Sequence, residues 1–375
     1  MRTTWLLRTT WLLLCLAHAP ALMPRPSAHH YNNVTTAEMK AVLQEASSGV
    51  SIADVSMAHD SIDLSAARRI FDQYGVLVVR GLNKEHAGRV IKDVNAIVQQ
   101  GIEMADEGLL TEVINESDGV EHHVGWVTPD QTLFIKAPPG HARDKQIMVL
   151  GLDYFTAASM MDAATNAATL DVVQELLGSE AIELFGKGQC FYKEAMPGLS
   201  AGTNPKLMHQ DSAYFMFGKG GAVATLTYTT RTDLATANGA LYVVPGSHKL
   251  GHIAHMDTPS HLGLPATDWS FEDGLVIEGD AGDTIFFHVH TIHGSPPNLS
   301  PAPRATFINR YIAADDYQAY FATDVNMRAK ARTEYEAALS RGELPQKERN
   351  IILRGRRPWS KDGVQCALAD ARVNH

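Results

Sequence analysis

From about residue 184 the chain breaks into short β-branched runs, each bounded by Gly or Pro. This punctuation limits the fold more than any other feature. The runs are "CFYKEAM" (190–196), "AVATLTYTT" (222–230), "ALYVVPG" (240–246), "GLVIEG" (274–279), "DTIFFHVHTIH" (283–293) and "RATFINRYIA" (304–313). Strands this short, separated by turn residues rather than helices, suit a sandwich or jelly-roll barrel and not a parallel α/β sheet.

Upstream the periodicity is helical. Thr35 with Glu38 forms a capping box ahead of a helix to about residue 46. Ser65 is placed to cap "AARRIFDQY", Gly75 to end it, and "VLVVRGL" follows as a strand. Asn83 and Gly101 bracket a helix whose stripe is Ala87, Val90, Ile91, Val94, Ile97 and Val98. "DAATNAATLDVVQELLG" predicts another helix, ending at Gly178. Residues 102–160 have no clean period, the mark of a segment that wraps the core or covers a site. His122, His123 and Trp126 within it are the first place to look for selectivity. Residues 318–341 return to helix, and "RGRRPW" (354–359) reads as a solvated basic tail.

With 375 residues, 45% of them hydrophobic and 20% charged, the chain can bury a sizeable core. Its formal charge of −10 argues against general nucleic-acid binding, which needs a basic surface. Cys15, Cys190 and Cys366 are too scattered for a disulfide framework or a zinc cluster. The N-terminus runs from Arg2 and Arg8 through the apolar stretch 11–16 to small residues at Ala17, Ala19 and Ala21. That order reads as a removable targeting segment, for the secretory pathway or an organelle, and is too short for a stable membrane span. Without it a cytoplasmic location is expected. Asn-x-Ser/Thr matches at Asn33, Asn115 and Asn298 are of a kind that chance supplies, and do not establish secretion. The expected organisation is a targeting segment over 1–30 and a single domain over 31–375. Its β core spans about 184–313 and its helical tail 318–375. Nothing in the sequence reports oligomeric state.

Chemistry enters at "KLMHQDSAYF" (206–215). On an extended strand His209 and Asp211 point to one face and can converge on a metal ion. A third ligand is available in "GDTIFFHVHTIHGSPPNLSPAPR", in two ways. His288 and His290 share a strand face and could form an H-x-H pair of the cupin kind. Alternatively His293, on the other face beside Gly294, closes a two-histidine, one-carboxylate facial triad with His209 and Asp211. Arg304, eleven residues after His293, starts the next strand and offers a planar, always-charged partner for a carboxylate. Lys193 reads as an exposed strand lysine, the alternative being a side chain that faces the pocket. His248, in a Pro-Gly-Ser turn, reads as structural.

Five ordered motifs carry a family resemblance: "IFDQYGVLVVRGLNKEHAGRVI", "HQDSAYF", "NGALYVVPGSHK", "GDTIFFH" and "HGSPPNLSPAPR". Together they resemble the phytanoyl-CoA dioxygenase family of Fe(II)- and 2-oxoglutarate-dependent oxygenases. The resemblance implies an α+β fold with a mainly β core: a double-stranded β-helix (jelly roll) with flanking N- and C-terminal helices. It implies Fe(II) held by His209, Asp211 and His293, and 2-oxoglutarate held by Arg304, with Gln210 and Tyr228 as further contacts. Under it His288 and His290 are structural. It implies consumption of dioxygen and 2-oxoglutarate, release of succinate and carbon dioxide, and hydroxylation of a small-molecule substrate that the sequence does not identify. In related halogenases a small residue replaces the carboxylate, so Asp211 favours hydroxylation. The rival readings are a cupin-like metal enzyme using His288 and His290, and a catalytically silent relative that only binds.

Overall fold

The computed structural model describes residues 35–117, 120–128, 133–136, 146–152, 158–186, 188–195, 205–214, 222–257, 262–314, 316 and 351–356. The expected targeting segment and the predicted helix over 318–341 lie outside the described residues. Five helices are α1 (Thr36–Ser47), α2 (Leu64–Tyr74), α3 (Lys84–Asp106), α4 (Ala158–Ala164) and α5 (Ala167–Leu177), counted among the described residues. None of these is long and apolar enough to cross a membrane.

The strands fall into two main sheets. The larger contains β1 (Ser56–Ala58), β2 (Val76–Arg80), β3 (Thr111–Ser117), β4 (Val120–Val127), β5 (Leu133–Lys136), β6 (Gln146–Leu152), β7 (Ile182–Leu184) and β8 (Gly188–Lys193). The smaller one begins with β9 (Lys206–His209), after which β10 (Val223–Tyr228) returns to the larger sheet. β11 (Leu241–Val243) belongs to the smaller sheet, whereas β12 (Met256–Asp257) and β13 (Leu262–Gly263) form a separate pair. β14 (Leu275–Ile277) and β16 (His293–Ser295) complete the smaller sheet, in the order β14-β11-β16-β9. β15 (Thr284–His288), β17 (Arg304–Ala313) and β18 (Ile351–Arg354) complete the larger, whose centre runs β2-β15-β10-β17-β8.

Alternation explains how the two sheets share a core. In the continuous apolar run of β2, Leu77 and Val79 join a cluster with Ala67 and Phe71 of α2, Val90 and Val94 of α3, and Leu170 of α5. Val76 and Val78 face the other way, into a layer with Leu226, Phe287 and Ile308 of the larger sheet and Leu241, Val243 and Ile277 of the smaller. β2 is therefore covered on both faces, which is why it reads as unbroken hydrophobic sequence. Truncating Phe287 to Ala in such a layer costs about 3–5 kcal/mol.

Several sequence expectations needed correction. The cap of α2 is Asp63, whose carboxylate accepts from the Ala66 N–H at 3.0 Å; Ser65 already lies inside the first turn. Gly75 does end that helix, in the left-handed region at φ 69°. The next helix runs through Gly101 to Asp106, because Ile102 continues the packed stripe. Residues 158–177 form two helices, not one, and Asn166 caps the second through the Ala168 N–H at 3.1 Å. The featureless stretch contains four antiparallel strands, β3 to β6, with β6 joined to β8. Register shifts in the β3–β4 and β5–β6 pairs break the two-residue alternation, which hid them from pattern reading. The tail is not helical throughout: Ile351–Arg354 pairs with β7, and Arg354 donates to Asp171 of α5 at 2.6 Å rather than standing in solvent.

Candidate metal centre

Antiparallel pairing of β9 with β16 sets His209 directly opposite His293. Both imidazoles are oriented by the same local device. Nδ1 of His209 donates to the Leu207 carbonyl at 2.8 Å, and Nδ1 of His293 to the Thr291 carbonyl at 2.9 Å. A carbonyl only accepts, so Nδ1 carries the proton and Nε2 is left as the ligand atom. The ring centroids stand 4.3 Å apart. Asp211 follows β9 in a one-turn helix (Asp211–Ala213), pinned where the Ser212 N–H donates to the Val289 carbonyl at 3.0 Å.

That turn brings Asp211 Oδ1 to 3.8 Å from His293 Nε2. One ligand atom from each of His209, Asp211 and His293 lies within 4.8 Å of the others, and no other group of three such side chains converges among the described residues. All three are buried. Burial holds the His293 pKa below its ordinary value, against the pull of Asp211, which favours the neutral, ligating ring. The Arg310 guanidinium lies 3.4 Å from Asp211 Oδ2 and donates to Gln189 Oε1 at 2.7 Å, so one carboxylate oxygen is held from behind while the other faces the histidines.

His293 joins this cluster without a strand bulge in β15. The predicted single strand is two: β15 ends at His288 in the larger sheet, and residues 289–292 turn the chain into β16 of the smaller. The Phe287 ring then packs 4.6 Å from that of His293. His288 and His290 stay behind the turn, with ring centroids 5.2 Å apart and outside the converging set.

The remaining predicted residues divide. Arg304 is 2% exposed; its Nη1 donates to Thr306 Oγ1 at 3.3 Å, its Nη2 donates to the Gly239 carbonyl, and its Nε has no hydrogen-bond partner among the described residues. Burial pulls its pKa down to about 10. Gln210 is completely buried, with its amide nitrogen on the Gly251 and His290 carbonyls at 2.7 and 2.6 Å and its oxygen on the Ile253 N–H at 2.8 Å. Tyr228 is equally committed: its hydroxyl donates to Ile277 O at 2.7 Å and accepts from Leu241 N at 3.0 Å, tying the larger sheet to the smaller. Both side chains are thus engaged within the fold. Lys193 is 1% exposed, against the expectation of a solvent-facing lysine. Arg310 was missed outright, although its spacing of six from Arg304 puts both on one face of a strand. The side chains of His122 and His123 lie outside the described residues.

Asn298 is 1% exposed, and its amide nitrogen holds the Lys193, Glu194 and Ala302 carbonyls, so it is a structural clamp and not an exposed glycan acceptor. His248 Nε2 donates to the Asp72 carbonyl at 3.2 Å, and the ring packs on Gly75, as a structural turn histidine would.

Comparison with known proteins agrees with this geometry. A probable phytanoyl-CoA dioxygenase from Caenorhabditis elegans is 30% identical over 157 residues, covering 40% of this chain and 49% of the relative. The methylphosphonate hydroxylase of Gimesia maris is 29% identical over 131 residues, covering 35% and 48%. The chain thus matches about half the length of these curated relatives. Among solved structures, the apo non-heme monooxygenase ThoJ shares the fold, with a TM-score of 0.50 at 18% identity over 82% of this chain and 94% of that one. Residues 71–306, which hold the converging triad and Arg304, match the phytanoyl-CoA dioxygenase (PhyH) family, and the chain belongs to it.

Proposed function

We propose that this chain is an Fe(II)- and 2-oxoglutarate-dependent dioxygenase that hydroxylates a small organic or acyl substrate, with release of succinate and carbon dioxide. The observation that carries the reading is the mutual approach of His209, Asp211 and His293 within 4.8 Å. Two imidazoles and one carboxylate suit ferrous iron and leave coordination positions for a cosubstrate and dioxygen. Arg304 fits the far end of a dicarboxylate: it is a buried cation with an unsatisfied Nε, paired with no carboxylate among the described residues. When bound, the iron would activate dioxygen, the oxidant, with 2-oxoglutarate supplying two of the four electrons as it is converted to succinate and carbon dioxide and the substrate supplying the other two.

The chain's own residues do the rest. The Leu207 and Thr291 carbonyls hold the two rings, and Arg310 turns Asp211 so that Oδ1 faces the metal position. Phe287 and the apolar layer behind it keep water from that side. Arg304 orients the cosubstrate, while Gln210 and Tyr228 brace the surrounding loops and sheets. We read the two facing sheets as a double-stranded β-helix. The relatives' names span phytanoyl-CoA and methylphosphonate, so family membership does not select the substrate.

The test is a metabolite-extract screen on the Fe(II)-loaded protein, reading substrate-stimulated succinate and product mass. Gain of one oxygen is expected. Arg304→Ala should raise the 2-oxoglutarate concentration needed for half-maximal turnover by about a hundredfold while iron stays bound. Equal cosubstrate dependence in the variant would remove Arg304 from this role. Iron-loaded protein that never converts 2-oxoglutarate would point to a silent binding relative.

A further inference from the structure

Beside Arg304 stands a second buried cation that the proposed function leaves unused. Lys193 and Arg304 are register partners of the antiparallel strands β8 and β17. Both belong to the set facing the space between the sheets, since Cys190 and Tyr192 of β8 and Ala305 and Phe307 of β17 pack into the helix-side core. Arg304 donates to the carbonyl of Gly239, and Lys193 Nζ donates to the Ser295 carbonyl at 3.2 Å and to the Pro296 carbonyl. Gly239 separates the two cations. Its φ is +82°, and a Cβ there would stand 2.7 Å from Pro296 O and 3.1 Å from Lys193 Nζ.

The two cations keep donor capacity that their carbonyl partners do not use. An ammonium has three N–H donors and two carbonyls take two of them. Among the described residues neither Lys193 nor Arg304 is paired with a carboxylate. Burial, then Arg304, then Lys206 push the Lys193 pKa well below its ordinary value. Lys206 is aimed there by a bulge: four residues of β9, from His209 back to Lys206, oppose three of β16, from His293 to Ser295. Its Nζ lies 5.3 Å from the centroid of the Phe191 ring. Distance also suits. Ser295, which anchors Lys193, lies two residues along the strand from His293, and two strand residues span roughly 7 Å, close to the reach of a five-carbon diacid chelated at one end.

We propose that Lys193 and Arg304 form a two-cation receptor for the far carboxylate of 2-oxoglutarate, in which Lys193 sets the preference for a dianionic over a monoanionic 2-oxo acid. The proposal rests on the cosubstrate reading above, and its test separates the two. Binding is measured anaerobically by calorimetry on Fe(II)-loaded full-length protein, with 2-oxoglutarate and with 2-oxopentanoate, which has the same carbon chain and no far carboxylate. Lys193→Gln keeps N–H donors for the Ser295 and Pro296 carbonyls and removes the charge; Lys193→Met is the second variant should the first not fold. The variant should bind 2-oxoglutarate about ten- to a hundredfold more weakly and 2-oxopentanoate within about twofold of wild type, and Lys193→Arg should keep most of the selectivity. Equal weakening for both acids would make Lys193 only a brace and overturn the proposal, as would no weakening at all. Wild-type protein that binds neither acid would overturn the cosubstrate reading, and this proposal with it.

Discussion

Two groups of histidines flank the turn between β15 and β16, and they have different fates. In the first, the His209 and His293 rings are 4.3 Å apart, each fixed through Nδ1 by a carbonyl of its own strand, with a carboxylate delivered from the same chain reversal. In the second, His288 lies 5.6 Å from His248 and 5.2 Å from His290, centroid to centroid. There His288 Nδ1 accepts from the His290 N–H at 3.0 Å, so the ring nitrogen serves the turn. Among the described residues, His248 Nδ1 is buried without a hydrogen-bond partner, and no acidic side chain completes a converging set. Imidazole density alone does not make a metal centre. An anion and a fixed ring orientation do.

The largest expected effect breaks the comparison directly. Asp211→Ala or His209→Ala should lower Fe(II) affinity by about three orders of magnitude, more than the ten- to hundredfold typical of groups behind the ligands, whereas His288→Ala should leave it intact. A metal titration showing iron lost in His288→Ala and retained in His293→Ala would reverse the assignment in favour of the cupin-like reading. A smaller effect sharpens what orientation contributes. Arg310→Met removes the guanidinium behind Asp211 and should cost about ten- to a hundredfold in iron affinity with the fold preserved; an unchanged titration would deny it a positioning role.

The smallest effect belongs to the second group. Burial first, then His288, holds the His248 pKa down to about 4, against an ordinary value of 6.5. Between those values the unfolded chain takes up a proton that the folded chain refuses. The stabilisation is therefore full above about pH 6.5 and declines as pH falls toward 4, by up to about 1.4 kcal/mol per pH unit. Thermal melts across that window should show Tm falling with pH, and His248→Gln should flatten the slope. An identical slope in the variant would show that this cluster carries no electrostatic strain.

Legibility followed the range of the interaction. The Thr35–Glu38 box and the Gly75 and Gly178 stops rest on contacts within a few residues, and strands β2, β10 and β17 announce themselves by β-branched runs although their ladder partners lie far along the chain, so pattern reading found them. The split of β15 from β16 escaped it, because "HVHTI" has no Gly or Pro to mark the turn that the Gly75 carbonyl stabilises by accepting from His288 N and Thr291 Oγ1. Lys193 looked exposed because composition cannot report a cross-strand partner. The partners that hold Gln210 and Tyr228, such as Ile253, His290 and Ile277, lie far along the chain and were not legible in it.

By itself the sequence determined the short-strand architecture, the placement of His209 and Asp211 two residues apart, and a compact list of candidates for the third ligand. Spacing along one strand is a local property, so adjacent residues can encode it. The choice of His293 over His288 and His290, the hold of Arg310 on Asp211 and the crowding of Lys193 against Arg304 were decided only in the tertiary structure. Each depends on the register between strands that lie far apart in sequence, set by how two apolar sheet faces close on one core.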